Sequence, residues 1–211
     1  MAELTGIILG DGCLSKYWAK WDACWRFEIA ITGHKHDEPH YLEFIQPMFK
    51  KYFGMKGPLT LRHTCNAIQF HVKSKIPFEF FKALGLPAGK KQFDLSIPRP
   101  ILENNSFALA CIRGLWDTDG SIYRRYSKKY VNHPIHYNKY ATMELKMKSS
   151  IVIVVKKILE ANGISCNKII ENKGEKVLRI NRQEMIQRYV SVIGFRNKHH
   201  LNRFMAIIGN S

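Results

Sequence analysis

Two aspartates, Asp11 and Asp119, stand near the ends of two copies of one short pattern and could together bind a metal ion. Each copy is an apolar run with a glycine followed five positions later by Asp-Gly, in the sequences LTGIILGDG and IRGLWDTDG. Apolar runs of this kind are typical of a helix, so each copy would place one carboxylate at a helix C-terminus. Two carboxylates beside two helix C-termini concentrate negative charge, which a divalent cation would offset. Oxygen ligands favour hard ions such as Mg2+, and such ions can activate water against a phosphodiester.

Each copy taken alone has a simpler interpretation, because Asp-Gly after an apolar run is a common turn. The glycines Gly6 and Gly114 fall in the middle of the two expected helices. A mid-helix glycine costs about 1 kcal/mol relative to alanine, and close approach of two helix backbones would offset that cost. We therefore expect the two helices to pack through Gly6 and Gly114, with Asp11 and Asp119 side by side.

The segments that follow the two copies also match one another, which indicates an internal repeat. The paired segments are strands 25–32 and 142–148, helices ending at Gly54 and Gly163, strands 67–73 and 177–181, and short helices ending near Gly85 and Gly194. Alternation places one apolar face of each strand inward. The inward residues are Trp25, Phe27, Ile29 and Ile31, then Ile68, Phe70 and Val72, then Met143, Leu145 and Met147, then Leu178 and Ile180.

The repeat predicts an α+β fold of two pseudo-symmetric halves packed together. The expected boundaries are 1–97 for the N-terminal half, 98–106 for the linker and 107–211 for the C-terminal half. The linker is short and contains Pro98 and Pro100, so it should bridge the halves without a flexible spacer.

The net charge of the chain indicates the kind of molecule that it binds. The chain has 33 Lys and Arg against 17 Asp and Glu, a formal net charge of +16. A basic domain of this size more often meets a polyanion, usually nucleic acid, although a merely soluble basic protein is the alternative. The N-terminus has no signal-peptide pattern and no apolar run reaches membrane-spanning length, so an intracellular, soluble protein without a membrane partner is expected. The five cysteines form no C-x-x-C pair and are expected to be small buried apolar residues in a reducing compartment.

Other motifs are weak or missing. The histidines His34, His36 and His40 lack the partner ligands of a structural zinc site. The polar, tyrosine-rich stretch 123–140, with His133 and His136, is expected to be a loop or hairpin tip that contacts a sugar-phosphate backbone or is simply solvated. The chain has no Walker, dinucleotide-binding or serine-hydrolase motif.

The paired motifs LTGIILGDG and IRGLWDTDG, with the matching elements around them, resemble those of the single-chain, two-motif LAGLIDADG homing endonucleases. The resemblance covers nearly the whole chain. It implies an αββαββα half repeated twice, with the motif helices at the interface and two antiparallel sheets forming a saddle on DNA. It also implies a monomer that uses Mg2+, or Mn2+ in its place, to make a double-strand break in a long DNA site. Such a break would leave short 3′ overhangs and promote the mobility of an intron or intein.

The resemblance assigns metal-binding roles to the motif ends. Asp11 and Asp119 match the acidic positions of the two motifs, and Gly10 and Thr118 match positions whose backbone carbonyls can also face a metal. The other acid of the second motif, Asp117, has an apolar counterpart in the first copy, so a packing or capping role is expected for it.

Polar and basic residues should surround the metals. Where the family often has Gln or Lys after the first long strand, this chain has Gly33 and His34, and the other half has Ser149 and Ser150. His34 is expected to position water. Lys91, or its neighbour Lys90, and Lys198 resemble the basic residues that approach the scissile phosphates, and helix-capping lysines are the alternative.

The outward faces of the strands should read the bases. They carry Arg26, Glu28, Thr32, Arg62, Gln69, His71, Lys73, Thr142, Glu144, Lys146, Lys148, Arg179 and Asn181. Four more basic residues are expected to grip phosphates, and they are Arg124, Arg125, Lys128 and Lys129.

Two other functions stay open on the same fold. One is an intron maturase, for which intron RNA would be a partner, and the other is a catalytically inactive DNA-binding regulator. An aspartate in both motifs argues against the inactive regulator, because binding alone does not need two clustered carboxylates.

Overall fold

The two motifs form two helices that pack against each other at the centre of the molecule. The structure is a computed structural model that describes residues 1–91, 95–127 and 136–208. Helix α1 spans Ala2–Gly10 and helix α6 spans Asn105–Asp119. A Cβ atom on Gly6 would overlap the carbonyl oxygen of Cys111, and one on Gly114 would overlap that of Glu3. The backbones of α1 and α6 therefore touch where only glycine leaves room.

The N-terminal half continues from α1 into a sheet and its covering helices. Its elements are β1 Gly12–Ala19, β2 Cys24–His34, α2 Glu38–His40, α3 Gln46–Phe53, β3 Leu59–Arg62, β4 Ala67–Lys73 and α4 Lys75–Ala83. The strands are antiparallel in the order β1-β2-β4-β3. A wide π-helical turn, Tyr41–Ile45, joins α2 to α3.

The C-terminal half repeats this order after the short linker helix α5, Arg99–Leu102. After α6 come β5 Gly120–Ser127, β6 His136–Met147, α7 Ile151–Ala161, β7 Ile170–Asn172, β8 Glu175–Ile180, α8 Gln183–Val192 and α9 Lys198–Ile208. Its strands are antiparallel in the order β5-β6-β8-β7, the same arrangement as in the first half. The predicted α+β fold of two pseudo-symmetric halves is confirmed.

Periodicity did not locate the first strand of each half, although the αββαββα order implied by the resemblance includes it. Strand β1 starts directly after Asp11, and strand β5 starts directly after Asp119. The predicted loop or hairpin tip over 123–140 is too long at both ends, because 123–127 belong to β5 and 136–140 to β6, and these two strands pair antiparallel. These strands carry polar and tyrosine side chains instead of alternating apolar ones, so periodicity does not reveal them. Residues Lys128, Lys129 and His133 lie outside the described part of the chain.

The inward faces of the strands form the core as predicted, with one exception. Ile29, Ile68, Met143 and Leu178 illustrate the buried faces, and each is 0% exposed. Trp25 alternates with the same face but is 54% exposed. It lies on the far end of the β1–β2 hairpin, so it packs edge-on against Trp18, with ring centroids 5.5 Å apart.

A buried ion-pair cluster joins the two halves beside the central helices. Glu3 on α1 is 6% exposed and accepts hydrogen bonds from Arg113 Nη2 at 2.6 Å and Arg196 Nε at 2.9 Å. Both arginines belong to the C-terminal half, so this contact crosses the interface. No helix within the described residues is long and apolar enough to cross a membrane.

Candidate active site

The carboxylates of Asp11 and Asp119 meet where α1 and α6 end together. Asp11 caps the C-terminus of α1, and Asp119 is the last residue of α6. A Cβ atom on Gly10 would lie 2.9 Å from Asp119 Oδ2, so the carboxylate of one motif lies against the backbone of the other. The backbone N–H of Thr32 on β2 donates to the Asp11 carbonyl at 3.3 Å and ties this end of α1 to the sheet.

Burial and charge both raise the pKa values of this pair. Burial is the larger cause, and it raises the pKa of Asp11 to about 7, with further contributions from the charges of Asp119 and Asp37. Burial likewise raises the pKa of Asp119 to about 6. The ammonium of Lys91 opposes both shifts. Because both carboxylates are half-buried and close together, they resist being ionised at the same time. A divalent cation bound between them would stabilise their ionised forms.

The structure brings the predicted basic residue Lys91 to the motif ends. Its Nζ donates to the Leu9 carbonyl at 2.8 Å and also contacts the Gly10 carbonyl. Burial lowers the pKa of this ammonium, and the charges of Asp119 and Asp11 partly restore it. The Gly10 carbonyl, expected to face a metal, thus already has a cationic partner. The neighbouring Lys90 is exposed and lines the same open pocket as Lys91 and Asp119.

Asp117 serves a different purpose from Asp119, although the two are only two residues apart. It is 3% exposed, and its Oδ2 accepts the backbone N–H groups of Arg196 at 2.8 Å and Asn197 at 3.0 Å. Those groups immediately precede α9, so the carboxylate caps the segment that leads into this helix. Burial raises the pKa of Asp117 to about 7.

The side chains of three other residues expected near the metals have contacts elsewhere. The Nδ1 atom of His34 accepts the backbone N–H of His36 at 3.3 Å, so this imidazole caps the helical turn that follows β2. Lys198 on α9 pairs with Glu43 of the N-terminal half at 2.6 Å, and both side chains are largely exposed. Thr118 points its hydroxyl back to the carbonyls of Gly114 and Leu115 within its own helix.

Two residues near the motif ends were missed by sequence reasoning. Asp37 accepts the backbone N–H of His34 at 3.2 Å and the Asn197 side chain at 2.8 Å, which joins the two halves close to Asp11. Tyr41 is 2% exposed, and its hydroxyl lies beside Gly33 at the end of β2. The glycine at position 33 was the only signal in the sequence for this second residue.

The outward face of the N-terminal sheet carries a row of hydrogen-bonded polar side chains. Arg62 Nη2 donates to Gln69 Oε1 at 2.8 Å, and Gln69 Nε2 donates to Thr32 Oγ1 at 3.1 Å. Glu28 accepts from Tyr17 at 3.4 Å, and Arg26 pairs with Asp22. His71 is half-buried and Lys73 exposed on the same face. These side chains present both donors and acceptors to solvent.

On the outward face of the C-terminal sheet, more of the charged side chains form ion pairs with one another than on the N-terminal sheet. Arg179 Nε donates to Glu144 Oε2 at 2.6 Å, and the Tyr123 hydroxyl donates to the same oxygen at 3.0 Å. Four further predicted residues complete this face. Lys146 pairs with Glu175 at 2.5 Å, Arg125 Nη2 donates to Asn181 Oδ1 at 3.1 Å, and Lys148 is exposed.

Two residues predicted to contact DNA do not lie on an open surface. Thr142 is 3% exposed, because its short side chain lies opposite Tyr123 and between larger groups that bond to one another. Arg124 lies on the inward side of β5 and donates from Nη2 to the Ile207 carbonyl of α9 at 2.8 Å. Contact of Thr142 or Arg124 with DNA therefore stays a prediction.

The described residues contain no group of three or more His, Cys, Asp or Glu side chains arranged to hold a metal ion. Asp11 and Asp119 supply two carboxylates at the motif ends. Such a pair would need oxygen atoms from elsewhere to complete a coordination shell.

Solved structures with the same architecture exist. The chain aligns with variants of the homing endonuclease I-DmoI at a TM-score of 0.63 and 20% identity, covering 92% of this chain and 93% of that one. It aligns with the LAGLIDADG meganuclease I-AabMI at a TM-score of 0.65 and 12% identity, covering 98% and 88%. A mutant of I-SmaMI aligns at 0.65 and 12%, covering 100% and 92%.

The chain has the LAGLIDADG homing endonuclease fold. At these identities the match shows the fold alone, so the chemistry must come from this chain's own residues. No protein-family model and no curated protein matches the sequence. Within this fold, the two motif helices are the elements that carry Asp11 and Asp119.

Proposed function

We propose that this protein is a metal-dependent DNA endonuclease that cuts both strands of a specific duplex site. The observation that carries the proposal is the meeting of two ionisable carboxylates, Asp11 and Asp119, at the ends of two glycine-packed helices. Each carboxylate belongs to one half of a pseudo-symmetric molecule. A double-strand break cleaves one phosphodiester on each strand, and two equivalent acidic positions suit such a pair of cuts.

Proteins of the same fold support the choice of substrate and cofactor. The structures of I-DmoI include complexes with DNA and Ca, with DNA and Mn, and with target DNA in the presence of Mg. I-AabMI has been solved bound to uncleaved DNA. For this chain we infer double-stranded DNA as the partner, and Mg2+, replaceable by Mn2+, as the cofactor.

The donor set of this chain fits such an ion. Asp11 and Asp119 would hold it with carboxylate oxygens, and the Thr118 carbonyl is a further hard donor at the end of α6. When bound, the ion would polarise the phosphate and lower the pKa of attacking water. Lys91 would place an ammonium beside the phosphate next to Asp119, where it offsets developing negative charge.

Recognition would come from the outward strand faces. Direct readout needs donors and acceptors at fixed positions, and the row Arg62, Gln69 and Thr32 provides both on the N-terminal sheet. Arg179 and Glu144 do so on the C-terminal sheet. Because the two faces differ, we expect an asymmetric site rather than a perfect palindrome.

Three finer statements belong to the same proposal. The chain acts as a monomer, since both acidic positions lie in one chain. Its halves are 1–97 and 107–211, joined by the linker 98–106. Its breaks leave short 3′ overhangs and serve the mobility of an intron or intein.

Cleavage of a selected site tests the proposal. A randomised duplex library would be incubated with the protein and Mg2+, and cut molecules would be sequenced to define the site and its overhang. Asp11→Asn and Asp119→Asn should each abolish the double-strand break and leave duplex affinity within about threefold, because the charge lost is not needed for phosphate contact. Glu184→Gln, at an exposed position on α8, is the control. Normal cutting by either motif variant would refute the metal assignment.

A further inference from the structure

Gly33 and Tyr41 fit together at the end of β2. Tyr41 is the first residue of the π-helical turn between α2 and α3, and it is 2% exposed. A Cβ atom on Gly33 would lie 2.7 Å from the Tyr41 hydroxyl oxygen. Any side chain at position 33 would therefore compete with this hydroxyl for the same space. A π-helical turn inside a helix is uncommon and often occurs at a functional site.

The hydroxyl lies in the electrostatic field of Asp11 and Asp37. Thr32, the residue before Gly33, donates its backbone N–H to the carbonyl of Asp11 at 3.3 Å. Burial raises the pKa of Tyr41 most, and the charges of Asp11 and Asp37 raise it further. The phenol thus stays protonated and remains a hydrogen-bond donor close to Asp11.

This donor makes no hydrogen bond with any described protein atom. A buried hydroxyl without a partner is unfavourable, so an acceptor other than these atoms is expected at this position. A water molecule bridging two or more polar groups is the usual partner of such a group. The nearby carboxylate of Asp11 would be the second of those groups.

We propose that Tyr41 is a positioning residue whose hydroxyl donates to a water at the Asp11 carboxylate, in the space that Gly33 leaves free. In the C-terminal half the strand pairing puts Met147 where Gly33 stands in the first half, and Met147 is buried, so a side chain occupies the place that Gly33 leaves free. Tyr41 should therefore serve only the DNA strand cut on the Asp11 side. The inference rests on the proposed endonuclease function for this strand effect, but its effect on metal affinity does not require cleavage.

Tyr41→Phe removes only the hydroxyl oxygen and keeps the ring. Tyr189→Phe is the matched control, because Tyr189 is 0% exposed and its hydroxyl likewise has no hydrogen bond within the described residues. Gly33→Ala is a second test, because it retains Tyr41 but occupies the space of its hydroxyl. Two quantities would be measured: the cutting rates of the separately labelled strands, and the affinity of the DNA-free protein for Mn2+ by electron paramagnetic resonance.

Loss of an outer-shell partner typically reduces metal affinity or activity by about 10- to 100-fold. We expect Tyr41→Phe and Gly33→Ala to slow one strand by about that factor relative to the other, so that nicked DNA accumulates, and to weaken Mn2+ binding. Tyr189→Phe should change neither quantity.

Several outcomes would overturn the inference. They include an unchanged strand ratio with unchanged Mn2+ affinity, and equal slowing of both strands. If the wild-type chain binds Mn2+ but cuts no DNA, the endonuclease proposal fails while the Mn2+ comparison still decides the role of Tyr41. A wild-type chain that neither binds Mn2+ nor cuts DNA would refute both proposals.

Discussion

At the level of single residues, the motif carboxylates are placed where they weaken the fold. Asp11 has a pKa of about 7 and Asp119 of about 6, well above the ordinary value of 3.8. A group that binds its proton more tightly in the folded state favours folding at low pH. This contribution is complete below about pH 4 and is lost as the pH rises towards 7. The same unfavourable burial and repulsion of the two carboxylates favours the binding of a cation between them.

Asp11→Asn should therefore stabilise the metal-free protein at pH 8 by about 1–2 kcal/mol, less than full linkage because the carboxylate is only half-buried. At pH 5 the gain should be smaller, since the wild-type carboxyl is then largely protonated. Added Mg2+ should raise the melting temperature of the wild type and leave that of the variant nearly unchanged. Thermal unfolding at both pH values, with and without Mg2+, measures all three effects.

Asp22→Asn is the control at an exposed carboxylate. We expect it to change the free energy of unfolding by no more than about 0.5 kcal/mol. A lower melting temperature for Asp11→Asn than for the wild type in metal-free buffer at pH 8 would contradict the electrostatic account.

At the level of elements, the spacing of α1 and α6 sets the geometry of the site. Gly6 faces the carbonyl of Cys111, and Gly114 faces that of Glu3. Both obstacles are backbone atoms, which cannot rotate away as a flexible side chain could. The helices must separate to admit a methyl group, and the two carboxylates at their ends would separate with them.

Gly6→Ala should lower the free energy of unfolding by about 1–3 kcal/mol despite the higher helix propensity of alanine, because overpacking outweighs that gain. It should also reduce the cutting rate of any protein that remains folded. Urea unfolding and strand cutting on the selected site measure the two effects. Phe107→Ala, on the half-exposed side of α6, should change stability much less. A stabilised Gly6→Ala variant would exclude close helix packing at this point.

The sequence predicts the helices and strands that have their own apolar periodicity. It does not predict the strands that are held only by pairing with a neighbouring strand. The motif helices and the strands around Ile29 and Met143 follow from apolar periodicity. Strand β5 does not, because its polar residues are held by pairing with β6. The sequence also predicted open surfaces for Thr142 and Arg124. Thr142 is buried by neighbouring side chains and Arg124 is held by α9, and no strand pattern reveals either contact. The expectation of buried cysteines is wrong for four of the five, since only Cys111 is buried.

At the level of the whole molecule, the contacts between the halves are both apolar and ionic. Glu3 of the first half binds Arg113 and Arg196 of the second. Asn197 donates to Asp37 across the same interface. Buried residues of both halves belong to one continuous core. Each half would therefore expose apolar surface and unpaired charge if it separated from the other.

We consequently expect the two halves to unfold in a single transition. Hydrogen exchange followed by mass spectrometry at increasing urea should show peptides from α4 and α8 losing protection at the same concentration, because neither half is stable without the interface. Glu3→Gln should shift both midpoints down together, since it leaves two arginines without their shared buried partner. Glu184→Gln, at an exposed position on α8, is the control. If Glu3→Gln moves only one midpoint, or if the wild type shows two, the halves are independent folding units, and the rigid placement of Asp11 against Asp119 must then come from the DNA.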